Sequence, residues 1–154
     1  MLAGIHRLFK VGWLAAYDTD AKRTVLYLGL PSTEISLKAM LEQAGTPLPK
    51  IRNRSHNIAG LMRDLGRCKV EVQVTPGTRM YAPASRLRGC TLEYPPAVPT
   101  VGEVVDAESK GASQYPSRVR YGKLPRHYPP ELVAQTATKV AAFARQHWQS
   151  IRAT

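Results

Sequence analysis

The sequence predicts a mainly α-helical domain, an up-and-down bundle of four or five helices that carries a small β-hairpin insertion. Two observations lead to this fold class. Apolar residues recur at helical spacing over much of the chain, and only the segment 67–97 shows the alternation and turn chemistry of strands. The chain of 154 residues is long enough for one hydrophobic core, so 1–154 is predicted to be a single domain. All-β and parallel α/β folds are excluded because one pair of strands cannot build them.

The first part of the chain is predicted to form two helices, at 6–18 and 20–44. Pro31 lies inside the second helix. Because proline removes one hydrogen bond and clashes with the preceding turn, we expect a kink or a break there. Gly45 stands where a helix commonly ends on a left-handed residue.

A loop with two prolines is predicted at 46–53, and a short helix follows it to Leu65. Asn53 or Ser55 would cap this helix, and Gly66 would end it. Its inward face is predicted to hold Ile58, Leu61, Met62 and Leu65. The short connection makes the helices on either side antiparallel neighbours in a bundle.

The hydrophobic period changes after that helix. The run KVEVQV at 69–74 alternates strictly, and a Thr-Pro-Gly turn follows it at 75–77. The partner strand is predicted at 90–94, which makes 69–94 a hairpin. Because an isolated hairpin is marginally stable, it should lean on the bundle. The two cysteines, Cys68 and Cys90, are expected to be free thiols.

Two further helices are predicted in the last third of the chain. Thr100 and Glu103 form a capping box that opens a short acidic helix to about Ser109. An irregular connection occupies 111–130, and the final helix begins at Pro129 or Pro130. Its buried stripe is predicted to be Val133, Ala137, Val140, Ala144, Trp148 and Ile151.

The charge balance is the strongest functional signal in the composition. The net charge is +11, and residues 117–154 hold seven of the basic side chains against one acidic side chain. Such asymmetry favours a polyanionic partner, and nucleic acid is favoured over a membrane because no basic amphipathic anchor is present. The alternative is that the basic surface serves solubility alone. The uncharged runs are too short to cross a bilayer, and no signal peptide is visible, so a cytoplasmic location is expected.

One set of short motifs resembles a known family. The run TEISLKAMLE at 33–42, then Gly45, then HNIAGLM at 56–62 is similar to the core of a HEPN (higher eukaryotes and prokaryotes nucleotide-binding) domain. A tyrosine-rich stretch at 115–121 is similar to the Arg-Tyr-Pro stretch that many members carry before the last helix, although glycine follows Tyr121 here. The resemblance covers 20–66 and 115–152, about half of the chain.

The resemblance implies a four- or five-helix bundle that often dimerises. Such domains act on or beside nucleic acid, as toxins, as defence components or as companions of nucleotidyltransferases. Catalytic members are metal-independent ribonucleases that use an Arg-x4–6-His motif near the start of the last helix. Here Arg120 and His127 have that spacing, but Pro125 lies between them, so they would stand in a loop rather than on a helix. Arg145 and His147 are too close in sequence to lie one helical turn apart.

The segment 115–128 is the candidate nucleic-acid-binding site. It interleaves cations with tyrosines, and guanidinium groups can bind phosphates while tyrosine rings stack on unpaired bases. The alternative is a surface loop whose tyrosines pack onto the bundle. The residues predicted to bind are Arg118, Arg120, Tyr121, Lys123, Arg126, His127 and Tyr128.

Other polar residues are given modest roles. His56 is expected to bond a helix end or a neighbouring loop, and Glu34 with Lys38 is expected to form a helical ion pair. Arg79, Arg86 and Arg88 either extend a basic face or are solvated. Three functions follow, in order of preference: a non-catalytic RNA, single-stranded nucleic-acid or nucleotide-binding protein; a homodimeric module that contacts an acidic protein; and a metal-independent ribonuclease. No cofactor or metal is expected.

Overall fold

The computed structural model describes residues 2–93, 97–109 and 128–154, and their side chains from residue 21 onward except at 23, 108 and 109. Within these ranges the chain forms five α-helices, one 3₁₀ helix and a two-stranded antiparallel sheet, which confirms the mainly helical prediction. The elements in chain order are α1 (Leu2–Gln43), α2 (Leu48–Asn53), α3 (Ile58–Leu65), β1 (Lys69–Thr75), β2 (Thr78–Pro83), the 3₁₀ helix (Ala84–Gly89), α4 (Val101–Ser109) and α5 (Pro130–His147).

One continuous helix, α1, replaces the two helices predicted before Gly45, and of the kink or break predicted at Pro31 the break is wrong. An interior proline costs a helix about 3 kcal/mol. Leu26 and Leu30 before the proline and Leu37 after it are all buried. Because burying each leucine contributes about 1.5–3 kcal/mol, packing on both sides of the proline offsets its cost.

The end of α1 confirms the prediction at Gly45, which has a φ of 88°. The Thr46 N–H donates to the Leu41 carbonyl, and the Gly45 N–H donates to the Glu42 carbonyl, each at 2.9 Å. This pair of bonds is the Schellman motif, in which a left-handed residue satisfies the last carbonyls of a helix.

The predicted loop at 46–53 is wrong, since α2 occupies Leu48–Asn53. Its two prolines, Pro47 and Pro49, stand just before and within the first turn, where a missing N–H breaks no helical bond. The loop prediction treated prolines as helix breakers without allowing for this position.

Helix α3 begins one turn later than predicted. Its cap is Asn57, whose side-chain oxygen accepts from the Gly60 N–H at 2.7 Å, and neither Asn53 nor Ser55 serves. Ser55 instead adopts a left-handed φ of 46° in the preceding turn. The predicted inward face is confirmed, because Ile58, Leu61, Met62 and Leu65 are all buried.

The hairpin is shorter than predicted. Strand β1 pairs antiparallel with β2 across Pro76 and Gly77, so the predicted partner strand at 90–94 is wrong. Closing a two-residue turn orders less chain than closing the longer loop. The hairpin packs against the helices as expected, since Val70 at its base is fully buried. Residues 84–92 return to the core through Leu87 and Leu92, and both cysteines are free as predicted.

The capping box of α4 is confirmed. The Glu103 N–H donates to the Thr100 hydroxyl at 3.3 Å, and the Thr100 N–H donates back to the Glu103 carboxylate at 2.7 Å. This carboxylate bonding lowers the pKa of Glu103.

Helix α5 packs along α1, and Gly29 permits the close approach, since a Cβ there would stand 3.0 Å from a Val133 methyl carbon. The start at Pro130 is confirmed. The predicted buried stripe is wrong at its end, because the helix stops at His147 and Trp148 is 38% exposed. The stripe is confirmed at Val133, Ala137, Val140 and Ile151, which are buried. Phe143 and His147 are buried in place of Ala144 and Trp148, one residue earlier in each case.

Candidate nucleic-acid interface

Most of the predicted nucleic-acid-binding residues lie outside the described residues: Arg118, Arg120, Tyr121, Lys123, Arg126 and His127. Tyr128 lies within them, just before α5. It is half-buried, and it packs against the hydrophobic core.

A buried carboxylate organises a different group of cations. The Asp64 side chain on α3 is 5% exposed, and it accepts two bonds from the guanidinium of Arg54, which is 35% exposed. Arg54 Nε donates to Oδ2 at 2.6 Å, and Nη2 donates to Oδ1 at 2.9 Å. The bond from Arg54 lowers the pKa of Asp64, and the same bond raises the pKa of Arg54. This two-point contact fixes the orientation of the guanidinium at the protein surface.

Two more cations stand close to the same carboxylate. Nη1 of Arg67 lies 3.8 Å from Oδ1 of Asp64, and the Arg67 side chain is 69% exposed. Lys50 on α2 is exposed, and its charge also lowers the pKa of Asp64. Asp64 therefore balances one of the three positive charges around it, and the cluster keeps a positive excess.

The carboxyl-terminal segment brings two further cations beside Arg67. Lys69 and Arg152 form an antiparallel bridge in which each backbone N–H donates to the other residue's carbonyl at 2.9 Å. Residues paired in this way project their side chains on the same side of the ladder. Both residues are exposed. The Thr154 hydroxyl donates to the Arg67 carbonyl and ties this segment to the cluster.

We call these five residues, Lys50, Arg54, Arg67, Lys69 and Arg152, the basic face. Sequence reasoning missed it for two reasons. Four of its members are scattered over twenty residues, on α2, on β1 and in two turns, and Arg152 joins them only through the pairing of the chain end with β1. A signal was present in the basic residues of 50–69, which outnumber the one acidic residue there, Asp64.

Of the three arginines in and beside the hairpin, two lie close to a carboxylate. Arg88 donates to Asp106 through both terminal nitrogens, at 3.3 and 2.7 Å, and this bond raises the pKa of Arg88. Arg79 lies 3.5 Å from Glu71. Arg86 is exposed. Two of the three arginines are therefore neutralised by a carboxylate, and they add little positive charge to the surface.

The predicted Glu34–Lys38 pair is confirmed, with Lys38 Nζ 2.6 Å from the Glu34 carboxylate. The Nδ1 of His56 lies 3.0 Å from the same carboxylate, a partner on α1 that the sequence did not predict. Burial would raise the pKa of Glu34, but the bonds from Lys38 and His56 and their charges outweigh it and lower the pKa. The cluster thus links α1 to the turn before α3.

The end of α5 offers no reachable acid–base pair. His147 is 5% exposed, and its ring centroid lies 4.5 Å from that of Phe143, whereas Arg145 is exposed. Burial lowers the pKa of His147, and the charge of Arg86 lowers it further against an opposing backbone bond to Glu71. In the ranges that the structure describes, no three His, Cys, Asp or Glu side chains are grouped to hold a metal ion.

Comparisons with known proteins leave the geometry as the sole guide to function. Scans of the chain against protein-family models, curated proteins and solved structures found no match. Of the described helices, none combines the length and the apolar character that crossing a membrane requires.

Proposed function

We propose that the chain is a non-catalytic protein of HEPN-like bundle type that binds RNA or other single-stranded nucleic acid through phosphate groups. The single observation that carries this proposal is the basic face, in which three cations lie around one buried carboxylate and two more, Lys69 and Arg152, are paired through their backbones next to it in the chain. The cations and tyrosines of the segment 115–128 support the same proposal from the sequence. The setting we propose, from the family resemblance, is a toxin–antitoxin or defence system.

The chemistry of the basic face suits phosphates. Arg54 is held by two bonds to Asp64, and its remaining N–H groups can still donate to an oxyanion. Because the Arg54 guanidinium is already oriented, phosphate binding does not have to order this side chain, and it loses less conformational entropy. Arg67, Lys69 and Arg152 are exposed, so a polyanion can reach them without displacing a neighbour from the core.

The family part of the proposal draws support from one contact. Glu34 belongs to the first motif, TEISLKAMLE, and His56 opens the second, HNIAGLM. The two motifs meet in space through the bond between these side chains. Asn57, the second residue of the HNIAGLM motif, caps α3. A shared structural role would explain why these residue types occur together.

The test is the salt dependence of binding. A fluorescently labelled single-stranded RNA of about 20 nucleotides is titrated with the protein at 50 to 300 mM salt, and anisotropy gives the Kd. Each phosphate contact contributes about −0.7 to the slope of log K against log salt, so five contacts predict a slope of roughly −3.5. A flat dependence contradicts the proposal and favours a protein partner instead.

A further inference from the structure

A stripe of α1 faces solvent with the spacing of a coiled-coil seam. Its members, Val25, Leu28, Ser32, Ile35 and Ala39, are separated by three, four, three and four residues. Leu28 is 62% exposed and Ile35 is 66% exposed. Alternate steps of three and four place apolar side chains on one line of a helix, and that line packs against another helix. We call these five residues the α1 seam.

An open groove runs beside the seam between α1 and α5. Its volume is about 860 Å³, and its α5 side includes three small side chains, Ala137, Ala141 and Ala144, together with Thr138 and Arg145. Trp148 lies at its end and is 38% exposed. Small side chains let a second backbone approach closely, and the groove has room for large apolar side chains. The surface thus offers protruding side chains and a recess next to each other.

The lack of charge along this surface favours a second copy of the chain as its binding partner. The α1 seam carries no charge, and of the described residues that line the groove Arg145 alone is charged. A chain with a net charge of +11 can therefore meet a second basic chain here with little local repulsion. Antiparallel packing of two such helices can place the large side chains of Leu28 and Ile35 opposite small ones, whereas parallel packing in register places them opposite each other.

We infer that the α1 seam binds the α1 seam of a second copy of this chain, antiparallel and about a two-fold axis. With the axis between Ser32 and Ile35, each Ile35 faces Ser32 of the second copy. Each Leu28 then faces Ala39 of the second copy, so that large side chains meet small ones. The protruding Leu28 and Ile35 enter the groove of the opposite copy. This contact is independent of the basic face.

The mass in solution tests the contact. Sedimentation equilibrium of the full chain is expected to give twice the chain mass of 17.0 kDa. Ile35→Glu is expected to give the single-chain mass, because it places a carboxylate in the contact. Met80→Glu is the matched control, since Met80 is 57% exposed on the hairpin and its variant should stay dimeric. Circular dichroism checks that both variants keep their helix content.

Cross-linking tests the direction and does not depend on the charged variant. In a Cys90→Ser background, Leu28→Cys and Ala39→Cys proteins are mixed and oxidised, and a disulfide between them is expected. Leu28→Cys alone should not cross-link, because its two copies lie eleven residues apart along the helix, roughly 16 Å. A monomer at every soluble concentration, or a dimer that survives Ile35→Glu, overturns the proposal and leaves a helix of another protein as the occupant. Cross-linking of Leu28→Cys with itself overturns the antiparallel direction.

Discussion

The basic face and the α1 seam are both exposed, but they are built in opposite ways. The basic face gathers cations from α2, β1, two turns and the chain end, and three of them lie around the buried carboxylate of Asp64. The α1 seam lies on a single helix and is uncharged along its whole length. Both surfaces belong to a chain with a net charge of +11.

This difference teaches that net charge does not describe the surface of the molecule. Charge concentrated on one face attracts a polyanion over long distances, and its effect weakens with salt. An apolar face acts at contact, and its attraction is not screened by salt. The two proposed contacts should therefore respond differently when the salt concentration is raised.

The largest change in the free energy of unfolding is expected from a substitution at Asp64. Asp64→Asn removes a buried carboxylate bonded to a cation and should lower the free energy of unfolding by about 1.5–3 kcal/mol. Asp106→Asn is the matched control. Its carboxylate also bonds an arginine but is 32% exposed, so its loss should cost less than about 1 kcal/mol. Urea unfolding measures both, and equal losses would show that burial does not distinguish the two pairs.

A smaller change in the free energy of unfolding is expected when the pH is lowered. The pKa of Asp64 and that of Glu34 are both lowered in the folded protein. Their stabilisation is therefore present above the ordinary carboxyl pKa and is lost as pH falls through the lowered values. Unfolding in urea at pH 5 and at pH 3 should show a loss for the native chain and a smaller loss for Asp64→Asn. Identical losses would mean that Asp64 contributes nothing to acid sensitivity.

The smallest effect is expected at His127, the weak catalytic candidate. His127→Ala should change the Kd for single-stranded RNA by less than about threefold, because it removes one side chain and none of the five cations of the basic face. The native chain should leave the RNA uncut under the same conditions. Cleavage by the native chain that His127→Ala abolishes would favour the ribonuclease alternative over the proposed function.

Local signals in the sequence predicted local structure well. The capping box of Thr100 and Glu103 and the helix end at Gly45 depend on neighbours within five residues, and both were confirmed. Strand β2 could not be found in this way, because nearly all of its side chains are exposed and its sequence shows no alternation. The break at Pro31 was predicted from the local cost of proline alone, which the burial of leucines on both sides of it in the folded chain overrides.

The candidate site was less predictable than the fold. The binding segment at 115–128 was chosen from a run of cations and tyrosines in sequence, and all of it except Tyr128 lies outside the described residues. The basic face depends on contacts between distant residues, above all the bridge from Lys69 to Arg152. Trp148 was assigned to the core by helical spacing, although the helix ends one residue before it.

One comparison of two variants tests the central claim most directly. The first replaces Arg67, Lys69 and Arg152 of the basic face by alanine. The second replaces Arg79, Arg86 and Lys139 by alanine. These three residues are also exposed, and their replacement lowers the net charge by the same amount. RNA binding across a salt series should show a slope shallower by roughly 2 for the first variant and unchanged for the second. Equal losses in both variants would contradict a localised basic face and leave only the overall charge of the chain to explain binding.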